Sequence, residues 1–167
     1  MTRRSLSFVY SLTMAKKEKA KSFVNRKAKF EYEFLESVEA GIKLLGTEIK
    51  SIRAGHVNLR DGYCVFERGE LILRSLYIGE YKQGNQFNHE ERRPRKLLLK
   101  RQELRKWEKK VKEKGFTIIP YRLYLNERGL AKVEVVLVQG KKVYDKRESI
   151  RQRESKRSMD RIKKQYL

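Results

Sequence analysis

The sequence predicts a mainly β fold: a small six-stranded barrel with two to three inserted helices and a basic C-terminal tail. Three observations carry this. Extended runs of alternating or β-branched residues recur through the middle of the chain, punctuated by short glycine-containing loops. The stretch from Gly41 to Tyr63 goes from extended to helical and back in a space too short for a second domain. Past Gln139 apolar residues nearly vanish, so the end of the chain has too little surface to bury to fold by itself. Many short strands with a helix plug favour a closed or partly open barrel of OB type, because closure leaves no strand edge exposed.

Taken in order, residues 1–13 pair two arginines with a short apolar, hydroxyl-rich run. Met14-Ala15-Lys16-Lys17 then reads like an ordinary cytoplasmic start, and translation is expected to begin at Met14. Residues 1–24 are expected to be a flexible basic extension ahead of a barrel over residues 25–140. Phe30-Glu31-Tyr32-Glu33-Phe34 alternates strictly and predicts a half-buried strand, followed by a second extended piece over residues 35–44 that bends near Ala40-Gly41. Thr47 and Glu48 offer a cap oxygen and a first-turn carboxylate. Leu45, Ile49 and Ile52 share one helical face, and Gly55 suits the left-handed residue that stops a helix. Val57 and Leu59 resume an extended segment that turns at Asp61-Gly62.

Residues 63–66 and 71–73 flank Glu67-Arg68-Gly69-Glu70 and predict a hairpin, with Leu76-Tyr77-Ile78 continuing its second strand. Residues 79–93 make a polar loop carrying Tyr81 and Phe87, which either stack on unpaired bases or anchor the loop to the core. Leu97, Leu98, Leu104, Trp107 and Val111 form one apolar stripe and predict a helix over residues 95–114, between Pro94 and Gly115. Arg92, Arg93, Arg95 and Lys96 would then crowd a helix N-terminus, where backbone amides and side-chain cations act together on a phosphate. Residues 116–125 and 130–138 are joined by Asn126-Glu127-Arg128-Gly129 into a last hairpin, in which Pro120 marks an edge or a bulge.

Charge narrows the function. Lysine and arginine number 42 against 21 acids, a net charge of +21, so the expected partner is a polyanion. No apolar run approaches the roughly 20 residues that span a bilayer, so nucleic acid leads over membrane. Cys64 is the only cysteine, which excludes an intramolecular disulfide and leaves no zinc-ligand spacing; it reads as a small apolar strand residue in a cytoplasmic protein. His56 and His89 have no nucleophile or ligand set nearby in sequence, and no phosphate-cradling glycine loop is present. Binding without catalysis, metal or cofactor is therefore expected over an RNA-modifying enzyme. The tail, residues 141–167, has high helix propensity, with Ile150, Arg153, Arg157, Arg161 and Lys164 recurring at helical spacing. It is expected to be disordered when free and helical when bound to RNA; a merely solubilising tail is the alternative.

The run E-A-G-I-K-L-L-G-T-E-I-K-S-I-R-A-G followed by V-N-L-R-D-G-Y is much more specific than a short motif. With N-R-K-A, the F-N-H loop, R-K-L-L-L, V-K-E-K-G, G-K-K, and D-K-R followed by I-R-Q-R, the chain from Asn25 to its end resembles the SmpB family of SsrA-binding proteins, partners of transfer-messenger RNA (tmRNA). The resemblance implies a monomeric RNA-binding factor of trans-translation. Its globular part would hold the tRNA-like domain of tmRNA at the elbow and stand in for an anticodon arm. Its tail would sense the empty mRNA channel near the small-subunit decoding centre of a stalled ribosome. Position by position, the resemblance puts RNA-binding roles on Glu39, Leu98 and Lys100, and the tail signature on Asp145, Lys146, Arg147, Ile150, Arg151 and Arg153. The full RNA-binding set expected is Arg26, Lys27, Phe30, Glu39, Arg53, Phe87, Asn88, Arg95, Lys96, Leu98 and Lys100; the tail set adds Lys141, Lys142 and Arg161. Many relatives have histidine where this chain has Phe30, which keeps base stacking and removes a hydrogen bond. Some have asparagine at Lys100, which exchanges a directional contact for a charge. The rival within the binding class is a ribosomal or cold-shock-like barrel that holds RNA without regard to its identity.

Overall fold

The computed structural model of the chain describes residues 21–141 and 143–165. Its elements run β1 (Ser22–Val24), α1 (Ala28–Glu31), β2 (Tyr32–Ile42), α2 (Gly46–Ala54), β3 (Val57–Asn58), β4 (Tyr63–Glu67), β5 (Glu70–Arg74), β6 (Tyr77–Ile78), β7 (Arg95–Leu98), α3 (Arg101–Lys114), β8 (Thr117–Leu125), β9 (Ala131–Gly140) and α4 (Val143–Gln165). The antiparallel order β8-β4-β5-β7-β2-β9 closes on itself because β9 pairs β8 as well as β2, so six strands form the expected barrel. The seam is narrow: β4 meets β8 at Cys64 and Ile118, and β1 takes the rest of the same β8 edge.

Alternation fills the interior. Ala40 and Ile42 of β2, Leu71 and Leu73 of β5, Leu97 of β7, Ile118 and Leu123 of β8, and Val133, Val135 and Leu137 of β9 form one buried core. Ile52 of α2 and Trp107 of α3 join it, each such side chain contributing about 1.5–3 kcal/mol. The opposite face of β9 is covered too. Val136 and Val138 pack with Ala28 and Ile119 against Tyr32, Phe34 and Tyr121, which is why this strand reads as a continuous apolar run. The hairpin turn at Arg68-Gly69 has two left-handed residues, φ 52° and 76°, as a two-residue connection requires. Pro120 sits at a register shift between Pro120 and Arg122, the bulge the sequence allowed for.

Several elements depart from expectation. Residues 95–114 are a strand and then a helix. Arg95 and Leu97 point in while Lys96 and Leu98 point out, because β5 and β2 lie on either side to take the backbone hydrogen bonds. Leu97 and Leu98 therefore leave the apolar stripe of α3, which Leu104, Trp107 and Val111 retain. Phe30 and Glu31 belong to the single turn of α1, and β2 is one continuous strand with a bulge between Phe34 and Glu36. Leu76-Tyr77-Ile78 does not extend β5. Ser75 takes a positive φ of 57° and turns the chain so that β6 pairs β3 in a separate ribbon. α2 starts two residues early, with Leu45 rather than Thr47 at the N-cap position; Glu48 accepts its N–H at 2.7 Å, and Thr47 serves elsewhere. Gly55 ends α2 in the left-handed conformation expected of it, φ 98°.

At the ends, β1 brings residues 22–24 into the sheet, so the ordered body begins before Asn25. The expected start at Met14 and most of the N-terminal extension lie outside the described residues. α4 leaves the body, and its described side chains from Arg147 onward are exposed, so none of those adds to the barrel interior.

Candidate nucleic-acid interface

Strand alternation places the outward residues of β7, β2, β9 and β8 on one surface. Leu98 pairs Gly41, Gly41 pairs Lys132, and Lys132 pairs Tyr124, making one row across four strands; Glu39, Glu134 and Arg122 make the next. Gly41 eases the close approach, since a Cβ there would stand 3.3 Å from Leu98 Cβ, tighter than most such contacts. Glu39 and Leu98, far apart in sequence, are thus neighbours, and Leu98 keeps 53% of its surface exposed. Lys100 is exposed two residues on, just ahead of α3.

The Glu39 carboxylate is oriented by its surroundings. The Tyr124 hydroxyl donates to Oε2, Lys132 Nζ stands 3.6 Å from Oε1, and the Arg122 guanidinium lies 4.6 Å from the centre of the Tyr124 ring. Accepting that bond, the carboxylate raises the Tyr124 phenol above its ordinary pKa. An oriented carboxylate beside cations and an apolar pad can accept hydrogen bonds from base or ribose donors while the cations take phosphates. Sequence reading missed Tyr124, Lys132 and Arg122. The signal that could have found them is the register of the last hairpin against the E-A-G strand, which puts them on the face of Glu39.

The loop over residues 79–93 is a second part of the surface, and it is tightly held. Asn88 closes it with its amide: Tyr81 N–H donates to Oδ1 at 2.9 Å, and Nδ2 donates to the Tyr81 carbonyl at 2.8 Å. This commits Asn88 to the loop and presents Phe87, 80% exposed, at its tip. Tyr81 is half-buried with Lys50 Nζ 5.4 Å from its ring centre, so of the two aromatics Phe87 is the free one. His89 fixes the loop to α2: its Nε2–H donates to the Ile78 carbonyl at 3.0 Å, which leaves Nδ1 to accept from the Thr47 hydroxyl at 2.9 Å.

Arg95 has to be withdrawn from the RNA-binding set. Its guanidinium is fully buried, with Nε donating to Glu48 Oε1 at 2.8 Å and the other nitrogens to the carbonyls of Leu76, Glu91 and Arg93. It ties the turn between β5 and β6, the loop and α2 together at one point. Arg93 grips the same carboxylate at 2.8 and 2.6 Å. Burial pushes Glu48 up, but the hydrogen bonds from Arg93 and Leu45 and the charge of Arg95 outweigh it and hold the carboxyl below its ordinary range. No helix N-terminus lies here for these cations to reinforce, since residues 95–98 are β-strand. Lys96 points outward and pairs Glu70.

The third region is α1, where the tail departs. Arg26 and Lys27 are exposed, with Lys27 2.8 Å from Glu31. Lys141 N–H donates to the Glu31 carbonyl and its Nζ to that of Lys29. Phe30 lies half-buried with the Arg153 guanidinium 5.1 Å from its ring centre. Arg53 is exposed at the end of α2, apart from the Glu39 rows. Lys146, half-buried, and exposed Arg147, Ile150, Arg151, Arg153 and Arg161 all lie on α4; Asp145 is within that helix with its side chain outside the described residues, as is the whole of Lys142.

Among the described residues no group of three or more His, Cys, Asp or Glu is placed to hold a metal, and no helix is long and apolar enough to cross a membrane. Cys64 is buried, which raises its thiol pKa and leaves it no role as a nucleophile.

Barrel, oriented carboxylate, exposed aromatic tip and projecting cationic helix define a polyanion-binding barrel protein. The model of the SmpB protein family matches residues 22–165, and the chain belongs to that family. It is 56% identical over 142 residues to the SsrA-binding protein of Christiangramia forsetii, covering 85% of this chain and 90% of the relative. To the SsrA-binding protein of Moorella thermoacetica it is 54% identical over 137 residues, covering 82% and 88%. A solved chain described under "tmRNA-SmpB: a journey to the center of the bacterial ribosome" superposes with a TM-score of 0.64 at 48% identity, covering 78% of this chain and 94% of that one.

Proposed function

We propose that this chain is a tmRNA-binding factor of trans-translation. The barrel holds the tRNA-like domain of tmRNA and delivers it to stalled ribosomes, where α4 occupies the empty mRNA channel in place of an anticodon arm. The single observation that carries the reading is the Glu39 surface: a carboxylate oriented by Tyr124 and Lys132 beside exposed Leu98 and Lys100, with a separate cationic helix whose described side chains from Arg147 onward are exposed. Such a surface selects by hydrogen-bond acceptance as well as by charge, and indiscriminate polyanion binding has no use for the acid. The protein acts by binding, in the cytoplasm. Among the described side chains of α4 those from Arg147 onward are exposed, with Arg153 over the Phe30 ring, so in solution the helix frays and the ribosome completes it.

Affinity capture with sequencing of the retained RNA tests this. tmRNA is expected to be enriched over bulk tRNA; equal retention of both would support the rival that holds RNA without regard to identity.

A further inference from the structure

Most lysines of α3 are answered by an acid. Lys106 and Lys110 reach Glu36, Lys109 reaches Glu113, and Lys112 reaches Glu108. Arg101 and Arg105 differ: both are exposed, and neither has an ion pair among the described residues. With Arg68, which has none either, they line an open groove over Leu98 and Leu104. The two acids on its rim, Glu70 and Glu108, are held by Lys96 and Lys112, so the groove keeps the charge of its three guanidinium groups.

Arg68 adds a second, independent observation. It sits in the left-handed region at φ 52°, in a turn that asparagine, aspartate and glycine enter more easily, and among the described residues its guanidinium makes no hydrogen bond. Turn stability does not call for arginine there. A backbone outlier held at a cost, carrying an unused cation into a groove with two more, points to a ligand.

We propose that Arg68, Arg101 and Arg105 form a phosphate track that continues the Glu39 surface and takes the sugar–phosphate backbone of the same tmRNA domain. The inference rests on the function proposed above. Leu98 belongs to both surfaces, so an RNA whose donors meet Glu39 passes its backbone into the groove, ribose over Leu98 and phosphates against the guanidiniums.

The test measures affinity for the isolated tRNA-like domain as a function of salt, with Arg68→Gly alone and with Arg68→Gly, Arg101→Gln and Arg105→Gln combined. At about 0.7–0.9 per phosphate contact, the combined variant loses about two to three from the slope of log affinity against log salt, and roughly tenfold or more in affinity at low salt. Arg68→Gly alone loses about one from the slope while its Tm holds or rises, because glycine relaxes the turn; a residue with a purely structural role would lower Tm instead. A combined variant with the wild-type slope overturns the track. So does one that binds this RNA normally but fails to support tagging on stalled ribosomes, which would assign the groove to ribosomal RNA. Failure of the wild-type protein to select tmRNA over bulk tRNA is a different result, and it removes the function on which the track depends.

Discussion

Glu48→Gln probes the joint on which the Phe87 loop is mounted. The side chain is fully buried and accepts from Arg93, from Arg95 and from the Leu45 amide. Glutamine keeps one acceptor oxygen and loses the charge, leaving the Arg95 guanidinium buried against three carbonyls with no counter-ion. Breaking one side of a buried pair costs about 3–5 kcal/mol, and the surviving carbonyl bonds favour the low end, about 3 kcal/mol. For a chain of this length each kcal/mol moves Tm by about 2–4 °C, so a fall of about 6–12 °C is expected in thermal unfolding followed by circular dichroism near neutral pH. Arg95→Met should be comparably destabilised, and Glu48→Leu with Arg95→Met should recover much of the loss, because an apolar pair carries no desolvation penalty. The pH dependence has a definite sign. The folded carboxyl lies below its ordinary 4.5, so its contribution is complete above that value and is lost as pH falls through the folded one. Glu48→Gln should therefore flatten the acid limb of the stability curve. A variant within about 1 kcal/mol of wild type, with the acid limb unchanged, would refute the claim that this ion cluster holds the loop.

Three further outcomes concern function. Glu39→Ala removes a negative charge, so pure electrostatics would tighten RNA binding; weaker tmRNA binding with bulk RNA binding unchanged or stronger is expected in filter binding, and unchanged tmRNA affinity would reject the acceptor role. Phe87→Ala should leave Tm within error, since the ring is exposed, yet cost about 1–3 kcal/mol of binding in titration calorimetry if the ring stacks on a base; no change there would reduce Phe87 to a loop residue. Removing residues 145–167 should spare Tm and most affinity for the isolated tRNA-like domain while abolishing peptide tagging in a stalled-ribosome translation assay. Parallel loss of both activities would mean that barrel and tail are not separate surfaces.

Local chemistry was legible where a rule acts on neighbours in the chain. The left-handed helix stops at Gly55 and Gly115, the hairpin turn at Arg68-Gly69 and the bulge at Pro120 follow from residue-level geometry. Residues 95–98 could not be read that way. R-K-L-L fits a helical stripe as well as a strand, and only the two partner strands, drawn from distant parts of the chain, settle which hydrogen bonds form. The same limit moved Arg95 from a supposed phosphate ligand to a buried counter-ion, since the carboxylate it answers lies 47 residues away.

By itself the amino-acid order determined a net charge of +21, a mainly β barrel, its family, and a tail too poor in apolar surface to join a core. Charge, β content and the poverty of the tail need only composition and short-range periodicity, because each is a property summed or repeated along the chain, whereas the family rests on long specific motifs read residue by residue. Tertiary structure alone decided that Glu39, Leu98, Lys132 and Tyr124 share one face and that Arg68 meets Arg101 and Arg105. A face is made by strand register, and in a closed sheet a one-residue slip turns every side chain of a strand from inside to outside.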